Sequence, residues 1–360
     1  MPDSANQILL ERSIRHAVYL ERLKTSEVRR LVAFFNKDVA PDILMQIEKR
    51  LGSGTVTEKR LKELYKSIKS VSTQGMMQIG DDFTDSLRDI GVTDAEWYQA
   101  ALSDAVPVDI DFRTPHFGML KAKVSNDTVC GKTVQEWFKG ISATTAGRVR
   151  QQINIGIAQG ENYPKIVRRI RGTRSAGFAN GILNASRRDI EAVVRTSVAT
   201  AAQTAREEVF KTNTAVVKGV QLVATLDNRT TEICMGYDGK VFAVDDGPRP
   251  PFHFQCRTQA IPVIRSWKEL GISLKEAPEG TRSSMNGQVP AKMTYGQWLK
   301  KQSISVQDDV LGPTRARLFR SGKVRIDRFA KDGRKLTLAE LRKREGLKVM
   351  DVKPAHRSAG

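Results

Sequence analysis

Apolar side chains recur every three or four residues through the first hundred positions of this chain, a period that predicts helices. Ile8, Leu9, Ile14, Val18 and Leu23 form one stripe on a long amphipathic helix. Pro41 opens a second helix carrying Ile43, Leu44, Ile47 and Leu51, because proline in a first turn forfeits no helical hydrogen bond. LGSGTVTE reads as a turn, and Lys59 to Leu87 as one or two helices interrupted at Gly80. Thr93 and Glu96 read as a capping box for a helix through Trp97 and Leu102. Pro107 to Gly131 reads as a loop or short extended connector.

The helical period resumes at Thr133, runs through Phe138, Ile141, Val149 and Ile153, and stops at Gly160. A short helix, YPKIVRRIRG, ends at Gly172, and TRSAGFANG reads as a linker. Ser186 and Asp189 then cap a long helix whose Ala199, Ala201, Ala202 and Ala205 permit close approach of a neighbouring helix. After Asn213 the period changes. Val216, Val217, Val220, Leu222 and Val223 predict a strand, Lys240 to Val244 a second after the Asp238-Gly239 turn, and Thr258 to Ile264 a third. Pro278 to Lys292 reads as a linker, and short helices are expected at 294–301, 313–320 and 337–344 in a basic tail. The expected fold is α+β and mainly α. It comprises a helical N-terminal domain (1–106), a connector (107–132), a module of helices followed by a small antiparallel sheet (133–266), and a linker with an extended basic tail (267–360).

Charge adds a partner class to this picture. The 360 residues hold 59 Lys and Arg against 40 Asp and Glu, a net charge of +19, which favours an anionic partner such as nucleic acid or an acidic protein surface. Arg168, Arg169, Arg171 and Arg174 cluster at a helix end, and Arg315, Arg317, Arg320, Lys323 and Arg325 lie in the tail. Both groups are candidate phosphate contacts, with a solvated basic face as the alternative. No apolar run reaches the roughly 18 residues of a membrane span, and the N-terminus lacks a signal-peptide pattern. Three cysteines in this length suit a reducing compartment, so a soluble intracellular product is expected.

Special chemistry concentrates between Leu226 and Pro262. Cys234, His253 and Cys256 are the ligand types zinc prefers, and His253-x-x-Cys256 spans one tight turn. A closed structural site needs a fourth ligand. Thr231 stands where a cysteine would complete Cys-x-x-Cys, and neither Asp227 nor Asp238 is a compelling substitute. The alternatives are two small buried thiols with His253 bonded to a turn, or a disulfide in an oxidising environment. Asp227 and His253 could act as acid and base, but an Asp beside a turn more often bonds its own backbone. GxGxxG, GxxxxGK[ST] and HExxH are absent, and no catalytic set is recognised, so the expectation is a non-enzyme.

The order of these features is specific. A helix containing RTSVATAAQTAREEVF, a strand ending in LDNRTTEIC, then DGKVF, GPRPPFHFQCR and a closing strand resembles the phage head-morphogenesis family, the Mu-type minor head proteins. The resemblance runs from about Trp137 to Val263, and MTYGQWLKKQ through LTLAELR is similar to the C-terminal region of many members. It implies a structural virion protein of a tailed bacteriophage, made in the host cytoplasm and located in the capsid interior or at the portal vertex. The implied partners are the portal protein during procapsid assembly, scaffold or major capsid protein, and viral DNA. The motif positions carried over are Asp227, Arg229, Thr230, Cys234, Asp238, Gly239, Pro251, His253, Cys256 and Arg257, with Thr231 departing from the family's paired cysteines. A metal-dependent nuclease or DNA-processing enzyme built on Cys234, His253 and Cys256 is the alternative reading.

Overall fold

In the structure, a computed structural model describing residues 4–52, 56–274 and 280–352, the helical period of the first hundred residues produces fewer and longer helices than expected. Helix α1 (Ala5–Phe34) passes through a π-helical turn at Phe35–Val39 into α2 (Ala40–Leu51), with Pro41 in its first turn. Helix α3 then runs unbroken from Glu58 to Ala105. Gly80 does not interrupt it, and Thr93 and Glu96 lie within it instead of capping a new helix. The buried positions Met76, Ile79, Phe83, Leu87, Ile90, Tyr98 and Leu102 explain why. One apolar stripe continues past both breaker signals, and its burial outweighs the roughly 1 kcal/mol that a helical glycine costs.

The connector expected at 107–131 contains a helix, α4 (Phe117–Asn126), capped by His116 and buried through Leu120 and Val124. Helix α5 (Val134–Ala158) starts at a capping box formed by Thr133 and Glu136, and α6 (Tyr163–Arg171) is capped by Asn162. Helix α7 (Leu183–Thr212) starts one turn earlier than expected. Ser186 is therefore no cap but a buried residue bonded to the Thr145 hydroxyl at 2.7 Å, and Asp189 pairs with Arg148 at 2.6 Å.

Strand β1 (Val217–Val223) leads to a short helix α8 (Glu232–Tyr237), then β2 (Val241–Phe242) and β3 (Gln259–Ile264). Both neighbours pair antiparallel with β1 in the order β2-β1-β3. The Asp238-Gly239 turn links α8 to β2, so β1 and β2 are not joined by the two-residue hairpin that the dipeptide suggests.

The basic C-terminal segment is folded rather than extended. A hairpin of β4 (Thr281–Ser284) and β5 (Gly287–Pro290) replaces the described part of the expected linker; residues 275–279 lie outside the described residues. It is followed by α9 (Tyr295–Lys300), α10 (Ile304–Leu311), α11 (Pro313–Arg320), the β6–β7 hairpin (Ala330–Lys331 and Arg334–Lys335) and α12 (Leu338–Glu345). The fold is mainly α with a small antiparallel β module, as expected.

The chain divides into two compact units, each assembled from discontinuous segments. One gathers the described residues of Tyr19–Thr93 and His116–Ala205. Its helices bury Leu31, Phe35, Ile43, Ile68, Phe83 and Phe138, the last two edge to face at 6.3 Å. The other gathers the described residues of Met1–Val18, Asp94–Pro115 and Arg206–Gly360. Here the first turns of α1 cover the sheet. Leu10 packs on Val223 and Ile261, Asn6 accepts from the Ile264 amide at 2.9 Å, and Gln7 donates to the Thr281 carbonyl at 2.9 Å. Leu226 and Met235 join Tyr295, Trp298, Leu311, Phe319, Phe329 and Leu341 in one cluster, so the C-terminal elements share a core with the β module.

Candidate Cys/His centre

The end of β1 and the start of α8 place Cys234 one turn into a short helix, while the segment after the cis Pro250–Pro251 peptide turns back to meet it. The turn closes through the Cys256 amide donating to the His253 carbonyl at 3.2 Å, with Gln255 at φ +59°. Cys234 and Cys256 are buried together with Ala224, and Phe252 packs over them. The two thiols lie 3.6 Å apart, and His253 Nε2 is 3.2 Å from Cys234 Sγ. The three sequence candidates thus converge.

The imidazole is oriented from its other side. Nδ1 faces the Phe254 carbonyl at 2.8 Å, which fixes the Nδ1–H tautomer in the neutral ring and leaves Nε2 directed at the sulfurs. The cluster polarises its members in opposite directions. A hydrogen bond from Cys234, together with one from His253, holds the Cys256 thiol below its ordinary range despite burial, while Cys234 is pushed up by that same bond and by burial. His253 is held above the usual imidazole range by its bond to Cys256.

These distances suit a thiophilic ion. Bonds of about 2.3 Å to sulfur and about 2.0–2.1 Å to nitrogen give tetrahedral edges of roughly 3.8 Å between sulfurs and 3.6 Å between sulfur and nitrogen. The sulfur–sulfur separation of 3.6 Å lies close to its edge, the sulfur–nitrogen separation of 3.2 Å is shorter than its own, and all three donor atoms lie within 4.8 Å of one another. Among the described residues the donor set is Cys234, His253 and Cys256 alone. Thr231, whose hydroxyl is 2.9 Å from His253 Nε2, occupies the neighbouring position, and a neutral hydroxyl is a poor zinc ligand. The residues therefore fit zinc through three ligands, without the fourth of a closed structural site.

The other motif residues build the frame. Asp227 receives a bidentate pair from Arg257 at 2.6 and 2.9 Å, and accepts from the Arg229 amide and the Thr230 hydroxyl in its own turn. Burial pulls its pKa upward, but Arg257 and the turn donors more than offset this and hold it low. No hydrogen bond joins Asp227 to His253 among the described residues. Arg229 is largely exposed, and Pro251 forms the approach to His253. Gly239 sits at φ +80°, where an L side chain is strained and where a Cβ would meet Thr294 at 3.0 Å.

Asp238 has a role that the sequence did not suggest. Its fully buried carboxylate accepts from the Ala224 amide at 2.7 Å and the Tyr295 amide at 2.6 Å, and pairs with buried Arg282 at 3.1 Å. Burial pulls its pKa upward against those bonds. Arg282 comes from β4 and also donates to the Met293 carbonyl, while the Tyr295 hydroxyl donates to the Asp227 carbonyl at 2.6 Å. Sequence reading missed both Arg282 and Tyr295 because they lie in stretches taken for linker and tail. The available signal was the Asn286-Gly287 dipeptide, a hairpin marker overlooked in a Ser- and Gly-rich run.

The candidate phosphate contacts fall into two groups. In the C-terminal elements Arg315 and Arg317 donate to the carbonyls of Leu336 and Asp351, Arg320 pairs with Asp308, Lys323 with Asp351, and Arg325 with Asp327. Those cations are engaged within the fold. At the end of α6, Arg169 pairs with Glu161 at 2.7 Å, whereas Arg168, Arg171 and Arg174 are exposed.

In comparisons with known proteins, residues 147–261 match the family described as Phage Mu protein F like protein. The matched segment, from within α5 to within β3, carries the helix, sheet and Cys/His centre just described, and it supports the phage head-morphogenesis family. Neither the curated proteins nor the solved structures gave a match. No described helix is long and apolar enough to cross a membrane.

Proposed function

We propose that this chain is a structural, non-enzymatic minor component of a tailed-phage head, incorporated with the portal protein during procapsid assembly and touching the packaged DNA. The observation that carries this reading is the family match across residues 147–261, which coincides with the segment holding every motif residue. The geometry supports it. The sulfurs are buried, Asp227 is committed to Arg257, and the remaining motif residues hold turns and strands together. Scaffold or major capsid protein are the further partners, and the virion is the location.

The test is co-expression with the portal, scaffold and major capsid proteins of the same phage. Recovered procapsids are expected to contain this chain when portal is present and to lack it when portal is omitted. Procapsids that never contain it would overturn the reading. A metal-dependent nuclease is the competing outcome: plasmid cleavage by the purified chain that disappears in His253→Ala would establish it and defeat the structural role.

A further inference from the structure

From Tyr163 to Arg188 the chain carries seven basic residues and no Asp or Glu. The span covers α6, the loop after it and the start of α7, and all of it lies in one compact unit. The loop is built, not slack. The Ile182 amide donates to the Arg169 carbonyl at 3.0 Å, and Asn180 Oδ1 accepts from the Thr173 amide at 2.9 Å. Gly181 lies so close to the end of α6 that a Cβ there would fall 2.3 Å from backbone atoms of Arg171 and Gly172. The beginning of α7 is thereby pinned against the end of α6.

Two guanidinium groups converge on one residue of this loop. Arg171 lies over the Phe178 ring at 5.6 Å, and Arg187 donates to the Phe178 carbonyl at 3.3 Å. Phe178 itself holds φ +63°, a conformation a bulky residue keeps only when its surroundings enforce it. In the same span Arg168, Arg174 and Arg188 are exposed, and none of them has an ion-pair partner among the described residues. The carboxylates that flank this span in sequence are already neutralised, Glu161 by Arg169 and Lys165 and Asp189 by Arg148, and Glu48 of α2 is the further acid that acts on α6, at Tyr163.

We infer that this α6–α7 corner is the surface that grips nucleic acid, through the phosphate backbone of duplex DNA. The inference rests on the DNA contact proposed above and assigns it to one place. Six of the seven cations are arginines, whose planar forks match phosphate oxygens in pairs. Phosphate contacts carry no direct sequence information, so the recognition is of charge and backbone spacing and not of sequence. The internally paired cations of the C-terminal elements contribute little.

The test is fluorescence anisotropy of the full chain with a labelled duplex of about 20 base pairs over a range of salt. Wild type is expected to bind with a steep salt dependence. Arg168→Gln, Arg171→Gln, Arg174→Gln and Arg188→Gln together should lower the log–log slope by about 0.9 per lost phosphate contact, roughly 3.6 in all. A control carrying Arg15→Gln, Lys62→Gln and Arg325→Gln, exposed cations elsewhere, should keep the wild-type slope within about one. A quadruple variant that binds like wild type, a control that loses as much, no DNA binding by the full chain, or displacement by polyglutamate as effective as by unlabelled duplex would each overturn the inference. Unchanged thermal unfolding of the variant separates lost contacts from lost fold. Procapsid incorporation is read separately: normal incorporation without DNA binding sinks this assignment together with the DNA contact and leaves the head-assembly role, and intact DNA binding without incorporation sinks the head-assembly role alone.

Discussion

Replacing Asp238 by Asn keeps the shape of the side chain but leaves the Arg282 guanidinium buried without its counter-charge. Removing one partner of such a pair costs about 3–5 kcal/mol, so Asp238→Asn should move the urea unfolding midpoint sharply downward. Arg229→Ala, at an exposed position of the same module, should stay within about 0.5 kcal/mol of wild type. The Asp227–Arg257 pair has a pH signature. Because the folded pKa of Asp227 lies below its unfolded value, the pair's contribution is present above an unfolded carboxylate pKa of about 3.9 and disappears as pH falls through the folded value. The stability gap between wild type and Arg257→Met should therefore be open at pH 7 and 5 and close below about pH 4, as read by urea melts. At the Cys/His centre, Co²⁺ added to the purified chain should give a thiolate charge-transfer band that is lost in Cys234→Ser and retained in Cys130→Ser, since Cys130 lies outside the cluster.

Two glycines show how packing decides what a helical glycine is for. In α3, a Cβ on Gly75 would lie 2.5 Å from the Val39 Cγ2 methyl, and a β-branched neighbour cannot swing away. Gly75→Ala should destabilise by about 1–3 kcal/mol through overpacking. In α5, Gly147 is exposed with nothing near its Cβ direction, so Gly147→Ala should stabilise by about 0.5–1 kcal/mol through helix propensity. Thermal unfolding of the two variants should shift in opposite directions. The same distinction explains what was legible in the sequence. Helices α5 and α6, the strands β1 and β3, and the convergence of Cys234, His253 and Cys256 follow from local period and motif. The length of α3 was hidden because Gly80 and Thr93 are local breakers, and only tertiary burial of the stripe through Ile90 and Tyr98 overrules them. The fate of Asp238 was hidden for the opposite reason: a dipeptide with a strong turn preference was used as a buried anchor for a strand 44 positions away.

At the scale of the molecule, the matched segment ends before its own support does. Residues 147–261 include Leu226 and Met235, but the side chains that cover them, Tyr295, Trp298 and Phe329 among them, come later in the chain. A fragment of 147–261 should therefore expose apolar surface and aggregate when expressed alone, whereas the full chain stays monodisperse by size-exclusion chromatography. Trp298→Ala should reproduce part of that defect, with a loss of about 3–5 kcal/mol in the full chain.

The bond from Gln7 to the Thr281 carbonyl spans 274 residues. On a ribosome adding about 5–20 residues per second, Gln7 is made roughly 14 to 55 s before its acceptor exists. For most of that interval the first turns of α1 carry Leu10 with no sheet to cover, and the sheet, once made, still lacks Arg282 for Asp238. Completion of this unit thus waits until β4 has been made, and a nascent chain stalled before β4 would meet chaperones or proteases as an open half-structure.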